Sequence, residues 1–275
     1  MAAPTGTLYG VGAKHARVYD LDANGVPDAT SATVPYEGVQ IPGLKAFEMT
    51  IPDARRIAHV GDDAVQAQDI LPRTEVSSGV IRFAGDNHAA YATFTGTKVA
   101  AIGDASVIGY ATDLQGYEPA IALLVYQQAK SGTTRVWRNY LVPNCQAIFN
   151  PNSMNENPAE FEASLIPSAA TSHIWGLALA DGVEGYTRAE IMESVTTDVP
   201  HIAAWLANNS ATEFPFHASR QSTKVHVVCT ITTAGVVTDV TGAGVTTLGT
   251  DKITITGPLA AGVKVVAFYS YAAAA

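Results

Sequence analysis

The residues best placed to do chemistry in this chain are three carboxylates, Asp20, Asp22 and Asp28, in the run DLDANGVPD. Alternating acids around a glycine are the pattern by which oxygen ligands wrap a calcium ion. Two features argue against that chemistry. Ser31 stands where the loop's closing glutamate belongs, and the flanking sequence is not helical in pattern. Asn24-Gly25 instead fits a tight hairpin turn, because both residues tolerate positive φ. The seven histidines, His15, His59, His88, His173, His201, His217 and His226, never fall at the short spacings of a metal site. Cys145 and Cys229 lie outside any C-x-x-C pair and read as reduced, partly buried thiols. Cys145 or Ser164 with His173 is the nearest approach to a nucleophile and its base, and no signature surrounds either. The dinucleotide, P-loop, zinc-protease and nucleophile-elbow motifs are all missing. No catalytic, cofactor or metal residue is assigned, and an enzyme is not expected.

Composition points toward assembly. Only 15% of the 275 residues are charged, against about 25% in ordinary soluble domains. Surfaces that become buried between subunits are depleted in Lys, Glu and Asp. Residues 1–216 hold 12 Lys or Arg against 23 Asp or Glu, a net of −11; residues 217–275 hold four against two, a net of +2. Thirteen of the 14 prolines also precede residue 217. The expected layout is therefore an acidic β-rich domain over 1–216 and a small, nearly uncharged β-domain over 217–275. No lysine or arginine cluster interleaved with aromatics is present, so tight nucleic-acid binding is not expected. The N-terminus lacks a signal-peptide apolar run, and nothing resembles a membrane span.

The elements that would position these residues are mostly strands. VQIPGLKAFEMTI (39–51) and DILPRTEVSSGVIRFAG (69–85) read as strands, with Leu44, Phe47, Met49 and Ile51 apolar and Lys45 and Glu48 facing solvent. Between them, PDARRIAHVGDDAVQAQ (52–68) is a long charged loop, part of it suited to a short helix. DNHAAYATFTGTK (86–98) is the clearest helix, capped by Asp86 or Asn87 and ended by Gly96, with Tyr91 and Phe94 on one face. AIALLVYQQA and TRVWRNYLVPNCQAIF are strand-like, and the mixed faces of the second suit a strand between a core and a wet lumen or interface. Phe161, Ala163 and Leu165 alternate with Glu160, Glu162 and Ser164, the period of a half-covered strand. YTRAEIMESV (186–195) and HIAAWLANN (201–209) are expected as short helices. Past residue 217, four short Thr/Val-rich strands separated by glycine turns suit a small sandwich or open barrel.

In order, IPGLKAFEMTI, the 52–68 loop, EVSSGVIRF, DNHAAYATFTGT, ALLVYQQAKSGTTRVWRNYLVPNCQAI and EFEASLIPSAA resemble the major tail tube protein of long-tailed bacteriophages, from about Gly6 to Ser194. The uncharged C-terminal segment resembles the Ig-like domains appended to virion proteins. The resemblance implies a mainly β fold, a β-sandwich flanked by a short helix, plus a small C-terminal β-sandwich on the outer surface. It implies hexameric rings whose strands form a continuous inner barrel and which stack into a tube. The long loop, with Asp53, Arg55, Arg56, Asp62 and Asp63, would reach the neighbouring ring.

Partners implied are further copies of the chain and other tail proteins (tape measure, terminator, distal tail), with DNA passing transiently and no membrane. The location implied is the virion tail, assembled in the host cytoplasm. A negative wall would let DNA slide without sticking, and Glu48, Glu75 and Glu160 occupy polar strand positions suited to it. A capsid decoration or head-completion protein, or a secretion-tube subunit, is the alternative within structural proteins. A monomeric β-rich binding module or lyase-like enzyme is the alternative outside them.

Overall fold

The computed structural model describes residues 8–50, 56–61, 64–70, 78–84, 88–96, 99–102, 105–108, 118–131, 133–150, 160–167, 192–241 and 245–272. The chain is mainly β, in antiparallel sheets, with one short helix among the described residues. The body comprises β1 (Leu8–Asp20), β2 (Val39–Pro42), β3 (Leu44–Thr50), β4 (Arg56–Gly61), β5 (Ala64–Ile70), β6 (Ser78–Ala84), α1 (His88–Thr95), β7 (Val99–Ile102), β8 (Ala105–Ile108), β9 (Ile121–Ser131), β10 (Thr134–Asn150), β11 (Glu160–Pro167) and β12 (Met192–Thr196). The C-terminal unit comprises β13 (Val199–Leu206), β14 (Glu213–Pro215), β15 (Ser222–Ile231), β16 (Val237–Asp239), β17 (Val245–Leu248), β18 (Lys252–Ile255) and β19 (Lys264–Tyr271).

One eight-stranded sheet runs β2-β1-β9-β10-β11-β6-β3, with β12 beside the first half of β10. Its two end strands are consecutive in sequence, joined only at Gly43, so the sheet curls until its ends meet. Gly43 makes that corner possible: its φ is +73°, and a Cβ there would sit 2.7 Å from the Ala84 carbonyl oxygen. What reads in sequence as one strand over 39–51 is thus two, on different partners. The three-residue step from Leu44 to Phe47 is absorbed by a register shift between Leu44 and Ala46.

Inside the curl lies a core of Ala16, Val18, Ile81, Phe83, Ile121, Leu123, Val125, Val142, Ala163 and Leu165. α1 plugs it with Phe94, fully buried and 6.4 Å from the Phe83 ring; burying such a ring contributes roughly 2–3 kcal/mol. Gly96 at φ +69° ends the helix as expected.

β9 is buried on both faces. Ile121, Leu123 and Val125 point into the first core, and Ala122, Leu124 and Tyr126 into a second. This second core (with Tyr19, Leu141, Ile202, Cys229 and Val266) lies between the large sheet and a four-stranded sheet, β13-β19-β15-β16. A third core of Trp205, Phe214, Val228, Ile253, Val265 and Tyr269 separates that sheet from the three-stranded β14-β18-β17. The result is three β-layers with cores between and within them.

Several expectations change. Residues 201–206 belong to the edge strand β13 of the four-stranded sheet rather than to a helix, and 192–196 are also a strand. β13 is apolar nearly throughout because both its faces are covered, which removes the alternation that marks a strand. The boundary expected at 216/217 falls inside a unit: β13 and β14 precede it, yet pair with β19 and β18. The second face of the Trp137–Leu141 segment is not wet, because Trp137 and Leu141 pack into the second core. The 52–68 segment carries a β-hairpin, β4–β5, where a loop with a short helix was expected.

Candidate functional site

Three parts of the molecule are candidates for function: an uncovered sheet face, a separate hairpin, and a polar joint between the body and the C-terminal unit. The face arises because the four-stranded sheet covers β1, β9 and the first half of β10 only. A register shift between Val142 and Cys145 turns the second half of β10 away from β9 and onto β11. On the β10–β11–β6–β3 half-sheet, Ala147, Ala163, Leu165, Ile81 and Phe83 point into the core. On the opposite side, Val80, Arg82, Glu162 and Ser164 are part-exposed. Ile148 is 41% exposed there, and Arg82 lies between two acids, with Nε 2.6 Å from Glu162 Oε2 and Nη1 3.9 Å from Glu48 Oε1. Such exposed pairs contribute little stability, but they set the local charge: two carboxylates against one guanidinium.

Glu48 therefore lies on this exposed face, as its sequence position predicts. Glu160 is opposite Ala84 in the β11–β6 register, and its side chain lies outside the described residues. Glu75 lies outside them altogether, as do Asp53, Arg55, Asp62 and Asp63. Arg56 is the first residue of β4, paired with Ile70. The hairpin pairs Arg56–Gly61 with Ala64–Ile70, and among the described residues these two strands hydrogen-bond as a sheet only with each other. Sequence reasoning missed Arg82 as the partner of Glu48 and Glu162 as the second acid on Arg82; the opposition of Arg82 and Glu162 is set by register and had no local signal.

The joint is built from residues 21–37, which leave β1 and strap across the C-terminal unit. Asp22 organises the first turn, its Oδ1 accepting from the amides of Asn24 (2.8 Å) and Val26 (3.0 Å), with Gly25 at φ +71°. A turn is present at Asn24-Gly25 as expected, but only Gly25 takes positive φ. The place of a cation beside it is taken by Lys264 of β19, whose Nζ donates to Asp22 Oδ2 (2.8 Å), Pro27 O (3.0 Å) and Asp28 Oδ1 (3.4 Å). No group of three or more metal-ligating side chains occurs among the described residues. Further along, Leu206 N donates to Ser31 O, and Tyr36 and Ala204 exchange both backbone bonds, which covers the free edge of β13.

The strap ends at Glu37, 6% exposed. Its carboxylate accepts from both Arg220 Nε (2.7 Å) and Arg220 Nη2, and from the Tyr269 hydroxyl (3.2 Å); its backbone carbonyl accepts from Arg17 Nη1 (2.9 Å). Burial alone would raise the carboxyl pKa, but the close His201 imidazole and the hydrogen-bonded Arg220 guanidinium outweigh it and hold Glu37 at about 2. His201, fully buried, has Nδ1 3.3 Å from the Tyr126 hydroxyl and Nε2 3.4 Å from Glu37 Oε1. Burial, which outweighs the Glu37 carboxylate, lowers its pKa to about 4, with Arg17 and Arg220 adding to the effect.

Neither thiol is set up to react. Burial pushes Cys145 and Cys229 up to about 12, keeping both as the inert thiol at neutral pH. Comparison with known protein families, curated proteins and solved structures finds no match to this chain. Among the described residues no helix is long and apolar enough to cross a membrane.

Proposed function

We propose that this chain is a self-assembling structural subunit of a bacteriophage tail tube, forming stacked hexameric rings around a channel through which DNA passes. The observation that carries this reading is the β4–β5 hairpin, a two-stranded sheet of its own inserted between two strands of the exposed half-sheet. An isolated hairpin is marginal in water, and a third strand or a packing partner stabilises it. A neighbouring copy would supply that partner, with Arg56 and the flanking Asp53, Arg55, Asp62 and Asp63 at the contact between rings. The uncovered face of β10, β11, β6 and β3 would line the channel. Its Glu48–Arg82–Glu162 group carries a net negative charge, which disfavours adhesion of a phosphate backbone. The scarcity of charge over the whole chain supports burial of much surface in an assembly. Tail proteins such as the tape measure, terminator and distal tail protein would cap the tube, and the assembled location would be the virion.

Negative-stain microscopy of the concentrated full chain tests this. The expected image is a hollow filament with an axial repeat of about 40 Å, roughly the thickness of one small domain. Replacing 56–70 by a short Gly/Ser linker should leave the circular dichroism of a folded β protein and abolish filaments. A chain that stays monomeric at high concentration, or filaments indifferent to the hairpin, would remove the reading. Filaments that end on an injection apparatus instead of a virion would favour a secretion tube.

A further inference from the structure

We propose that the joint between the body and the C-terminal unit is an acid-labile latch, opened by a proton on His201. The geometry makes His201 the weak point. Its side chain has no exposure, and Nε2 lies near Glu37 without being aligned as a hydrogen bond to any described residue. Every element around it is already committed. β1 brings Arg17, Tyr19 and His15, the last stacked on Tyr126 with centroids 4.4 Å apart. β9 brings Tyr126; the strap brings Glu37; the turn before β15 brings Arg220. β19 brings Tyr269 and Tyr271, with ring centroids 5.4 and 5.6 Å from the imidazole.

Glu37, the one carboxylate facing His201 among the described residues, already holds the Arg220 guanidinium and the Tyr269 hydroxyl, with Arg17 bound at its backbone carbonyl. An imidazolium would be one cation more in a site shielded by aromatic rings, where neither water nor a free anion can solvate it. Separating the two sheets hydrates it. The first core lies within the body, apart from His201, and is formed by apolar side chains among the described residues, so opening the joint does not require the body to unfold.

The sign follows from the depressed value. His201 titrates at about 4 in the folded chain and near 6.5 when hydrated, so stability of the joint is complete above about pH 6.5 and falls as pH drops toward 4. Glu37, held at about 2, contributes in the same direction, but only below its unfolded value of about 4.5. His15, lowered to about 4 by burial and then by Arg17, shares the window of His201 and needs its own control.

Hydrogen exchange followed by mass spectrometry, corrected for intrinsic rates, reads this on the full chain. On moving from about pH 7 to about pH 5, amides of β13 and residues 31–37 should lose roughly tenfold protection while β6 and β11 keep theirs. His201→Gln should remove most of that pH dependence and His15→Gln little of it. Unchanged protection in the wild type, or the same acid response in His201→Gln, would overturn the latch. Should His201→Gln not fold, NMR titration of the wild-type imidazole decides the matter. A midpoint coincident with loss of β13 protection supports the latch, and titration with protection intact rules it out.

Discussion

The Lys264 ammonium sits 2.8 Å from the Asp22 carboxylate, although 242 positions separate them in sequence. Together with the Pro27 carbonyl and Asp28, Asp22 forms a cation site occupied by a side chain of the C-terminal unit. A loop that reads as a candidate calcium ligand set is thereby a docking contact.

Lys264→Met keeps the stem and deletes the charge. It should destabilise the chain by about 1–3 kcal/mol in urea unfolding, the cost of leaving partly buried acceptors without their donor. Asp22→Ala combined with it should give a coupling energy of at least about 0.5 kcal/mol in a double-mutant cycle; strict additivity would show that the contact is incidental.

Arg220→Ala should cost on the order of 3 kcal/mol, because it strands Glu37 as a buried, uncompensated charge. Glu37→Gln in the same background should recover part of that loss. Glu37→Gln alone should flatten the stability profile between about pH 4.5 and 2, where the wild type loses stability as its depressed carboxyl takes up a proton. Chemical denaturation across that range is the measurement, and an unaltered slope would contradict the assignment.

Gly43→Ala places a methyl against the Ala84 carbonyl and forces a side chain into left-handed backbone. A loss on the order of 1–3 kcal/mol is expected, seen as a lowered thermal midpoint. A neutral substitution would mean that the β2–β3 corner relaxes freely.

A fragment of residues 217–275 should not fold. It lacks β13 and β14, so Val228, Ile253, Val265 and Tyr269 lose Trp205 and Phe214 from the core they share. Residues 199–275 retain all seven strands of the unit but expose the face carrying Ile202, Cys229 and Val266. That longer fragment should be folded and prone to associate. Dispersed proton NMR spectra from 217–275 would refute the boundary drawn by the sheets.

Local pattern made much of this legible. The alternation of Ala163 and Leu165 with Glu162 and Ser164 specified β11, Gly96 ended α1, and Asn24-Gly25 made its turn, since each signal is carried by neighbouring residues. Glu48 was recognisable as exposed for the same reason. The HIAAWL segment misled because a strand covered on both sides has no polar face to reveal its period. The change of composition at residue 217 misled too: charge and proline content describe surfaces, while β13 and β14 are buried pieces of the unit that follows.

The sequence by itself determined a mainly β chain, poor in charge, with the helix at His88–Thr95 and a glycine-punctuated C-terminal segment, because propensity and periodicity act over a few residues. Only the tertiary structure decided that 21–37 straps the C-terminal unit, that Lys264 fills the Asp22 turn, and that Glu37, His201 and Arg220 meet. Those contacts bridge segments 164–242 positions apart, through strand register and the stacking of sheets, and no local pattern encodes them.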